Sequence, residues 1–133
     1  MKRLPPVVTE DAAAYWEGLR NKQLLLQTCQ ECGAVLFPHR AVCTSCGSRR
    51  LAVIESQGRA TVYSYTVVHR APAPEFQDHL PYVVALVDLD EGPRMMTNLL
   101  CDVEVAEVGM RVAVEFDTDN EQTFPVFRPL GGQ

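Results

Sequence analysis

The chain has 133 residues, of which 47% are hydrophobic and 22% are charged, and its formal net charge is −5. This length fits one compact domain, or a small module joined to a slightly larger one, and is short for an enzyme with its own substrate domain. No apolar run reaches the roughly 20 residues that a membrane-spanning helix needs. The first residues include no apolar segment of the kind found in secretory signals, so we expect a cytoplasmic protein.

Residues 1–22 are predicted to contain an N-terminal helix. Thr9 is a suitable N-cap, and the acidic residues after it favour the positive end of the helix dipole. Tyr15, Trp16 and Leu19 give the helix an apolar face, and Gly18 weakens its last turn. Trp16 has two interpretations: it packs into the core, which is the more common role, or it anchors a partner protein.

Residues 23–50 contain two Cys-x-x-Cys pairs, each followed by glycine. The four cysteines are Cys29, Cys32, Cys43 and Cys46. Two residues between ligands let one tight turn direct both sulfurs at one ion, and Gly33 and Gly47 suit the sharp turns that follow, often with positive φ. In a reducing compartment this pattern indicates a metal site rather than disulfides.

We predict that these residues form a rubredoxin-like zinc ribbon with one structural Zn²⁺. Four thiolates complete a tetrahedral shell and leave no coordination position for a catalytic water. Iron is an alternative that the spacing does not exclude. His39 lies between the two pairs, and because the shell is already complete we predict it on the surface.

Residues 51–133 are predicted to be β-structure throughout. Segments rich in β-branched and aromatic residues recur, from RATVYSYTVVH to the final FPVFRP. Five or six such strands predict a small OB-type β-barrel, with a β-sandwich as the alternative, and Gly109 is predicted to form the turn before the penultimate strand. The expected fold class is therefore mainly β: an N-terminal helix, a zinc ribbon and an OB-type barrel.

A zinc ribbon followed by an OB barrel also suggests a nucleic-acid-binding module, and the charge distribution bears on this alternative. Residues 1–50 carry seven Lys/Arg and four Asp/Glu, whereas residues 51–133 carry five Arg, no Lys and thirteen Asp/Glu. Affinity for nucleic acid depends on cations that neutralise phosphates, so an acidic barrel disfavours this alternative. Tyr63, Tyr65 and Tyr82 could stack on bases, but we expect them to pack in the core and at the rim of the barrel.

The order of these motifs resembles the acyl-CoA-associated zinc-ribbon/OB-fold family, long classed as a domain of unknown function. The matching segments cover nearly the whole chain: YWEGLRNKQLLLQTCQECG, LFPHRAVCTSCGS, GRATVYSYTVVHRAPAP, PYVVALVDLDEGPRMMTNL and PVFRP. The resemblance implies a non-catalytic accessory subunit that binds a thiolase-superfamily enzyme: a thiolase, a thiolase-like aldolase of sterol side-chain breakdown, or a hydroxymethylglutaryl-CoA synthase. Members of the family lie beside the partner's active-site entrance, stabilise the partner and in some assemblies cover its CoA-binding region.

The residues themselves offer little for catalysis by this chain alone. The ribbon cysteines are predicted to bind metal, and Cys101, which ends the apolar segment RMMTNLLC, is typical of a buried small hydrophobe. His69 could act as a base, but nothing in the sequence supplies a carboxylate to orient it. We predict no catalytic residue, and the alternative is a self-sufficient acyl-CoA-processing enzyme that uses Cys101 or His69.

The segment 69–82 is the predicted recognition loop. It contains three prolines, which lower the entropy cost of holding one shape, and it presents Phe76 between acidic residues. We predict Phe76 either as a partner-interface anchor or as a cap over the barrel mouth. Arg70 and Arg94 flank this loop and the DEGP turn, so we predict contacts with the phosphates of a CoA thioester bound together with the partner, a solvated surface role being the alternative.

Overall fold

The computed structural model describes residues 13–37, 39–70, 80–119 and 122–130. The helix α1 spans Ala13–Arg20 and buries Tyr15 and Leu19. The predicted Thr9 cap lies outside the described residues. Gly18 allows the helix to approach the next strand closely, because a Cβ at this position would lie 2.6 Å from the Leu25 side chain. The helix therefore packs directly onto the start of the ribbon.

The ribbon is a three-stranded antiparallel sheet in the order β2-β1-β3. Its strands are β1 (Leu25–Cys29), β2 (Val35–Leu36) and β3 (Leu51–Glu55). In the register, Thr28 opposes Val35 on one side of β1, and Cys29 opposes Leu51 on the other. The sheet thus continues past residue 50, where we predicted the ribbon to end, and the chain passes to the barrel between Glu55 and Arg59. The division of the chain into domains stays a prediction.

The second part of the chain forms a closed barrel in the order β4-β5-β6-β8-β7, with β7 also pairing β4. Its strands are β4 (Arg59–Val68), β5 (Tyr82–Leu89), β6 (Arg94–Leu99), β7 (Arg111–Asp119) and β8 (Gln122–Pro129). A parallel bridge between Leu99 of β6 and Phe127 of β8 closes the barrel, and the other strand pairs of the barrel are antiparallel. This topology fits the predicted OB barrel and not the alternative sandwich. Gly109 has a φ of 90° and precedes β7 as predicted.

One hydrophobic core unites the helix, the start of the ribbon and the barrel. It includes Leu19 of α1, Leu24 and Leu26 at the start of the ribbon, and Val112 and Phe127 of the barrel, all nearly inaccessible to solvent. The other end of the ribbon has only a small cluster of its own, made by Cys29, Leu36 and Cys43. Apolar burial therefore holds one end of the ribbon much better than the other. Among the described residues, no helix has the length and apolar character needed to cross a membrane.

Three residues, 56–58, connect the ribbon sheet to the barrel and are fixed by the turn between β5 and β6. Ser56 Oγ donates a hydrogen bond to the Glu91 carboxylate (2.8 Å), and the Gln57 N–H donates to the same carboxylate (2.9 Å). Gly58, with a φ of 76°, donates its N–H to Ser56 Oγ and accepts from the Val114 N–H (2.7 Å). These bonds hold the ribbon in a defined position relative to the barrel.

Candidate metal centre

The four predicted ligand cysteines come together at the end of the ribbon. Their Sγ atoms all lie within 4.8 Å of one another, and two pairs, Cys29–Cys46 and Cys32–Cys43, are 3.6 Å apart. These separations are far longer than the roughly 2.05 Å of a disulfide bond. A tetrahedral ion with Zn–S bonds of about 2.3 Å requires sulfurs about 3.8 Å apart. The cluster therefore fits one four-coordinate zinc ion with no open position.

The two Cys-x-x-Cys turns have nearly the same backbone geometry. The Gly33 N–H donates to the Cys29 carbonyl (2.9 Å), and the Gly47 N–H donates to the Cys43 carbonyl (2.8 Å). Both glycines have a φ of 77°, which confirms the positive φ predicted from the sequence. Residues with a Cβ rarely adopt this conformation, so glycine is the natural residue to follow each pair. The repeated geometry places two sulfurs from each turn around one point.

Hydrogen bonds and neighbouring thiols act in opposite directions on the acidity of this cluster. Backbone N–H groups lower the pKa of all four thiols; at Cys29, where the Cys32 N–H contributes most, the pKa falls to about 6, and the pKa of Cys43 is lowered too. At Cys32 and Cys46 the hydrogen bonds with neighbouring thiols, together with burial, outweigh the backbone N–H groups and raise the pKa, to about 12 at Cys46. Four adjacent thiolates therefore need a bound cation to be ionised together.

His39 is buried, so our prediction of a surface residue was wrong. Only 8% of the residue is exposed, and its ring centroid lies 5.7 Å from that of Tyr15 on α1. The adjacent backbone is held by Gln27, whose side-chain amide donates to the Arg40 carbonyl and accepts from the Arg40 N–H. Neither ring nitrogen has a hydrogen-bond partner among the described residues, and burial lowers the pKa of His39. We had placed His39 on the surface because the four cysteines already complete the metal shell, but packing against α1, and not the metal, determines the burial of His39.

Trp16 connects α1 to the barrel. Its ring makes edge-on contacts with Tyr15, at a centroid distance of 5.3 Å, and with Phe124 of β8, at 5.7 Å. The half-buried indole also lines a groove of about 320 Å³, and Met96 lines the same groove. The core-packing interpretation of Trp16 thus has direct contacts behind it, and the partner-anchor role stays a prediction.

Arg94 lies at the junction of the ribbon and the barrel. Its guanidinium donates two hydrogen bonds to Asp88, at 2.6 and 3.3 Å, and stacks 3.4 Å above the centre of the Tyr63 ring. Arg94 and Arg40 line a cleft of about 260 Å³ that Ser45 also lines, and none of the described residues that line it is an Asp or a Glu. The sequence analysis missed Arg40, because nothing in the pattern indicated that this part of the ribbon would face β6.

The structure does not bring Arg70 close to Arg94. Arg70 follows the end of β4, where Val68 pairs with Tyr82, whereas Arg94 pairs with Asp88 at the other end of β5. Six residues of strand separate the two ends, which is roughly 20 Å. The two arginines therefore cannot contact the same phosphate. Phe76, the predicted interface anchor, lies outside the described residues.

The two residues considered for catalysis do not form a site. Cys101 is half-buried and packs against the core, and burial raises the pKa of its thiol. It is therefore a protonated, core-packed thiol near neutral pH, as expected for a small hydrophobe. His69 is exposed after the end of β4, and no hydrogen bond joins it to Cys101 within the part of the chain that the structure describes.

One face of the barrel is uncharged and partly apolar, a feature that the sequence analysis did not predict. We call this face the uncharged wall; its members on the outside of β4, β5 and β6 are Tyr63, Ser64, Thr66, Val84, Leu86 and Met96. Tyr63 is 51% exposed and Met96 69% exposed. Tyr65 is also 38% exposed, but it opposes the buried Ala85 and therefore points to the other side of β4. We expected both tyrosines in the core and at the rim of the barrel, and neither of them is a buried core residue. The outward-facing alternation of β5 made Val84 and Leu86 predictable, but not the exposure of Met96.

Together, the four-cysteine ribbon and the closed five-stranded barrel define a zinc-ribbon and OB-fold protein. Two family models match the chain in sequence: the rubredoxin-like zinc ribbon domain of ChsH2 over residues 16–52, and the C-terminal OB-fold domain of ChsH2 over residues 53–117. A DUF35 domain-containing scaffold protein of Pyrococcus furiosus is 38% identical over 125 residues, covering 87% of this chain and 90% of its own length. The chain belongs to this DUF35 family, which confirms the resemblance found in the sequence.

Two further relatives are named for enzyme complexes. A solved chain of the Ltp2-ChsH2(DUF35) aldolase is 39% identical and superimposes with a TM-score of 0.85, covering 94% of this chain and 98% of that one. A protein of Thermomonospora curvata named probable enoyl-CoA hydratase alpha subunit is 40% identical over 126 residues. The match covers 93% of this chain but only 39% of that subunit, so the chain spans about two fifths of its length. These names support an accessory subunit rather than an independent enzyme.

Proposed function

We propose that this chain is a non-catalytic accessory subunit that binds a thiolase-superfamily enzyme and supports its acyl-CoA chemistry. The observation that carries the proposal is the similarity to a chain of the Ltp2-ChsH2(DUF35) aldolase, which extends over 98% of that chain. The likeness therefore includes both the ribbon and the barrel and their arrangement. Relatives named scaffold proteins favour the same kind of role.

The chemistry of the described residues favours a non-catalytic role. The closed cysteine shell has no position for a reacting water, and burial raises the pKa of the Cys101 thiol and so disfavours the thiolate that a nucleophile needs. In our proposal the cysteines hold one zinc ion that folds the end of the ribbon. The folded chain then stabilises its partner by binding the partner's competent state, and the nucleophile and acid/base groups belong to the partner.

A finer part of the proposal concerns CoA. Arg94 lines a cleft with Arg40, and a cleft lined by two arginines, with no Asp or Glu among its described lining residues, suits a phosphate group. We propose that Arg94 contacts a CoA phosphate in the complex, whereas Arg70, at the other end of β5, would contact a different part of the same molecule. Arg94 must then exchange part of its pairing with Asp88 for the phosphate.

The CoA contact is tested with three variants of the complex. Arg94→Gln and Arg70→Gln should each weaken acyl-CoA binding several-fold, measured by calorimetry on the assembled complex. Arg128→Gln is the matched control, because Arg128 is an equally exposed arginine paired with Glu115 on another part of the barrel. If neither Arg94→Gln nor Arg70→Gln differs from Arg128→Gln, the CoA assignment is wrong.

A second candidate partner is a hydratase-type enzyme, and the relative in Thermomonospora curvata favours it. That protein is named a hydratase alpha subunit, and the part that this chain matches is only 39% of its length. In this alternative the chain is still an accessory subunit, but it supports addition of water to an unsaturated acyl-CoA instead of carbon–carbon bond chemistry.

Co-purification tests the proposal and separates the two partners. The tagged chain is isolated from its native cell, bound proteins are identified by mass spectrometry, and zinc is measured in the eluate. We expect a thiolase-superfamily protein in a fixed ratio and about one zinc ion per chain. A hydratase in its place would select the alternative. A chain that came down alone and turned over acyl-CoA unaided would refute both.

A further inference from the structure

The uncharged wall is the part of the barrel surface best suited to contact another protein. Its outer face includes a shallow apolar groove of about 230 Å³ lined by Thr66, Val84, Leu86 and Met96. Protein interfaces are depleted in charge at their centre and enriched in Tyr and Met. Continuous exposed apolar patches are uncommon on proteins that bind no partner.

The charges around the barrel make this face distinctive. The neighbouring strands take part in exposed ion pairs: Arg128 of β8 pairs with Glu115 of β7, and Arg111 of β7 pairs with Asp90 in the turn after β5. The uncharged wall ends at one edge with the Arg94–Asp88 pair, which is nearly neutral as a unit. Among the described residues, the members of the wall carry no charge and the Arg94–Asp88 pair is the charged group at its edge, so their desolvation costs little when a partner docks.

Met96 also links the uncharged wall to the helix. Its side chain borders both the groove on the wall and the larger groove that contains Trp16 and Phe124. The exposed apolar surface therefore continues from β4 across β6 to α1. A partner that covered the wall would reach the indole of Trp16 without crossing a charged side chain that lines either groove.

We infer that the uncharged wall is the surface on which the partner enzyme docks, through an uncharged apolar patch on that enzyme. This inference rests on the proposed function, because it names the face by which the accessory subunit binds. A second copy of this chain is a poor occupant: each chain carries a formal charge of −5, and residues 51–133 carry thirteen acidic residues against five arginines. Two barrels brought face to face would repel each other.

The test uses the whole zinc-loaded chain and the purified thiolase-superfamily enzyme identified by co-purification. Met96→Glu and Thr66→Glu place a charge on the uncharged wall at exposed positions where the fold tolerates it. Each should weaken the complex by about tenfold or more. Val53→Glu is the matched control, since Val53 is 50% exposed and lies on β3 of the ribbon sheet, outside the barrel. It should leave the dissociation constant within about twofold of the wild-type value.

Ionic strength provides a second, independent measurement. Because the wall has no charge, affinity should change less than about threefold between about 0.05 M and 0.5 M NaCl. Melting temperature and zinc content of each variant confirm that the fold is intact. The inference is overturned if Met96→Glu binds like wild type, if Val53→Glu weakens binding equally, or if sedimentation reveals a homodimer that Met96→Glu disrupts. A wild-type chain that binds no such enzyme would refute the proposed function itself.

Discussion

Gly58 lies at the junction of the ribbon and the barrel, and the substitution Gly58→Ala tests how tightly that junction is packed. The residue has a φ of 76°, in the left-handed region. A Cβ built there would overlap Val114 Cγ1 and lie 3.3 Å from Val114 Cβ. Because the Val114 N–H is bonded to the Gly58 carbonyl at 2.7 Å, neither segment can move away without breaking that hydrogen bond.

Two separate costs contribute to the expected effect of Gly58→Ala. A left-handed conformation costs a residue with a Cβ about 1–2 kcal/mol relative to glycine. Forcing an extra methyl group into a packed site costs a further ~1–3 kcal/mol. The sum is about 2–5 kcal/mol, which at roughly 4 °C per kcal/mol for a chain of this size lowers Tm by about 8–20 °C.

Thermal unfolding of the zinc-loaded chain, followed by circular dichroism, measures this loss. Gly109→Ala is the matched control: Gly109 also has a positive φ, of 90°, but a Cβ there would meet nothing within 4 Å. It should lose only the conformational part, about 1–2 kcal/mol. In a Val114→Ala background, which removes Cγ1 but keeps Cβ, Gly58→Ala should cost only slightly more than Gly109→Ala. Equal losses for Gly58→Ala and Gly109→Ala in the wild-type background would refute the packing argument.

Two further predictions concern the ribbon. Cys43→Ala should abolish binding of zinc, because three thiolates hold the ion far more weakly than four. Metal analysis measures the zinc content, and the control Cys101→Ala should retain zinc. Zinc at wild-type level in Cys43→Ala would contradict the proposed ligand set. Because His39 is buried, the chain should lose stability in acid. Burial lowers the pKa of His39 below the usual 6.5, so as the pH falls through 6.5 the imidazole takes up a proton in the unfolded chain but not in the folded one. The stability present above that pH is therefore lost below it. Urea unfolding between about pH 7.5 and pH 5.5, followed by the fluorescence of the single tryptophan with zinc content checked, should reveal a smaller loss for His39→Phe than for wild type. Equal losses would mean that the buried imidazole is not the cause.

The features that the sequence predicted well depend on short-range spacing. The two Cys-x-x-Cys turns needed only the distance between ligands and the glycine after each pair, and the structure has both turns as expected. The strands of the barrel were predicted from segments rich in β-branched and aromatic residues, and in the structure β5 alternates between buried and half-buried residues along its whole length. Family resemblance added the partner class, which no local pattern in the chain carries.

The features that the sequence missed depend on contacts between distant segments. Leu25 and Glu55 oppose each other in the ribbon sheet, 30 positions apart, so the third strand appeared to belong to the barrel. His39 is buried by a ring on α1, and Tyr63 is exposed because the register of β4 shifts between Val62 and Ser64. Neither a β-bulge nor a packing partner far away in the chain changes the spacing of hydrophobic residues enough to be recognised in the sequence.

The position of the metal centre limits how far its loss can spread through the fold. The start of the ribbon, at Leu24 and Leu26, belongs to the same core as the barrel, whereas the cysteine end has only the small cluster around Leu36. Zinc therefore stabilises the part of the ribbon that apolar burial leaves weakest, since a hairpin of that size has too little core of its own. Loss of zinc should then disorder the two Cys-x-x-Cys turns, including Ser45 and with it one wall of the cleft beside Arg94, and leave the barrel and the uncharged wall intact. On this argument a zinc-free chain loses its CoA contact before it loses its partner.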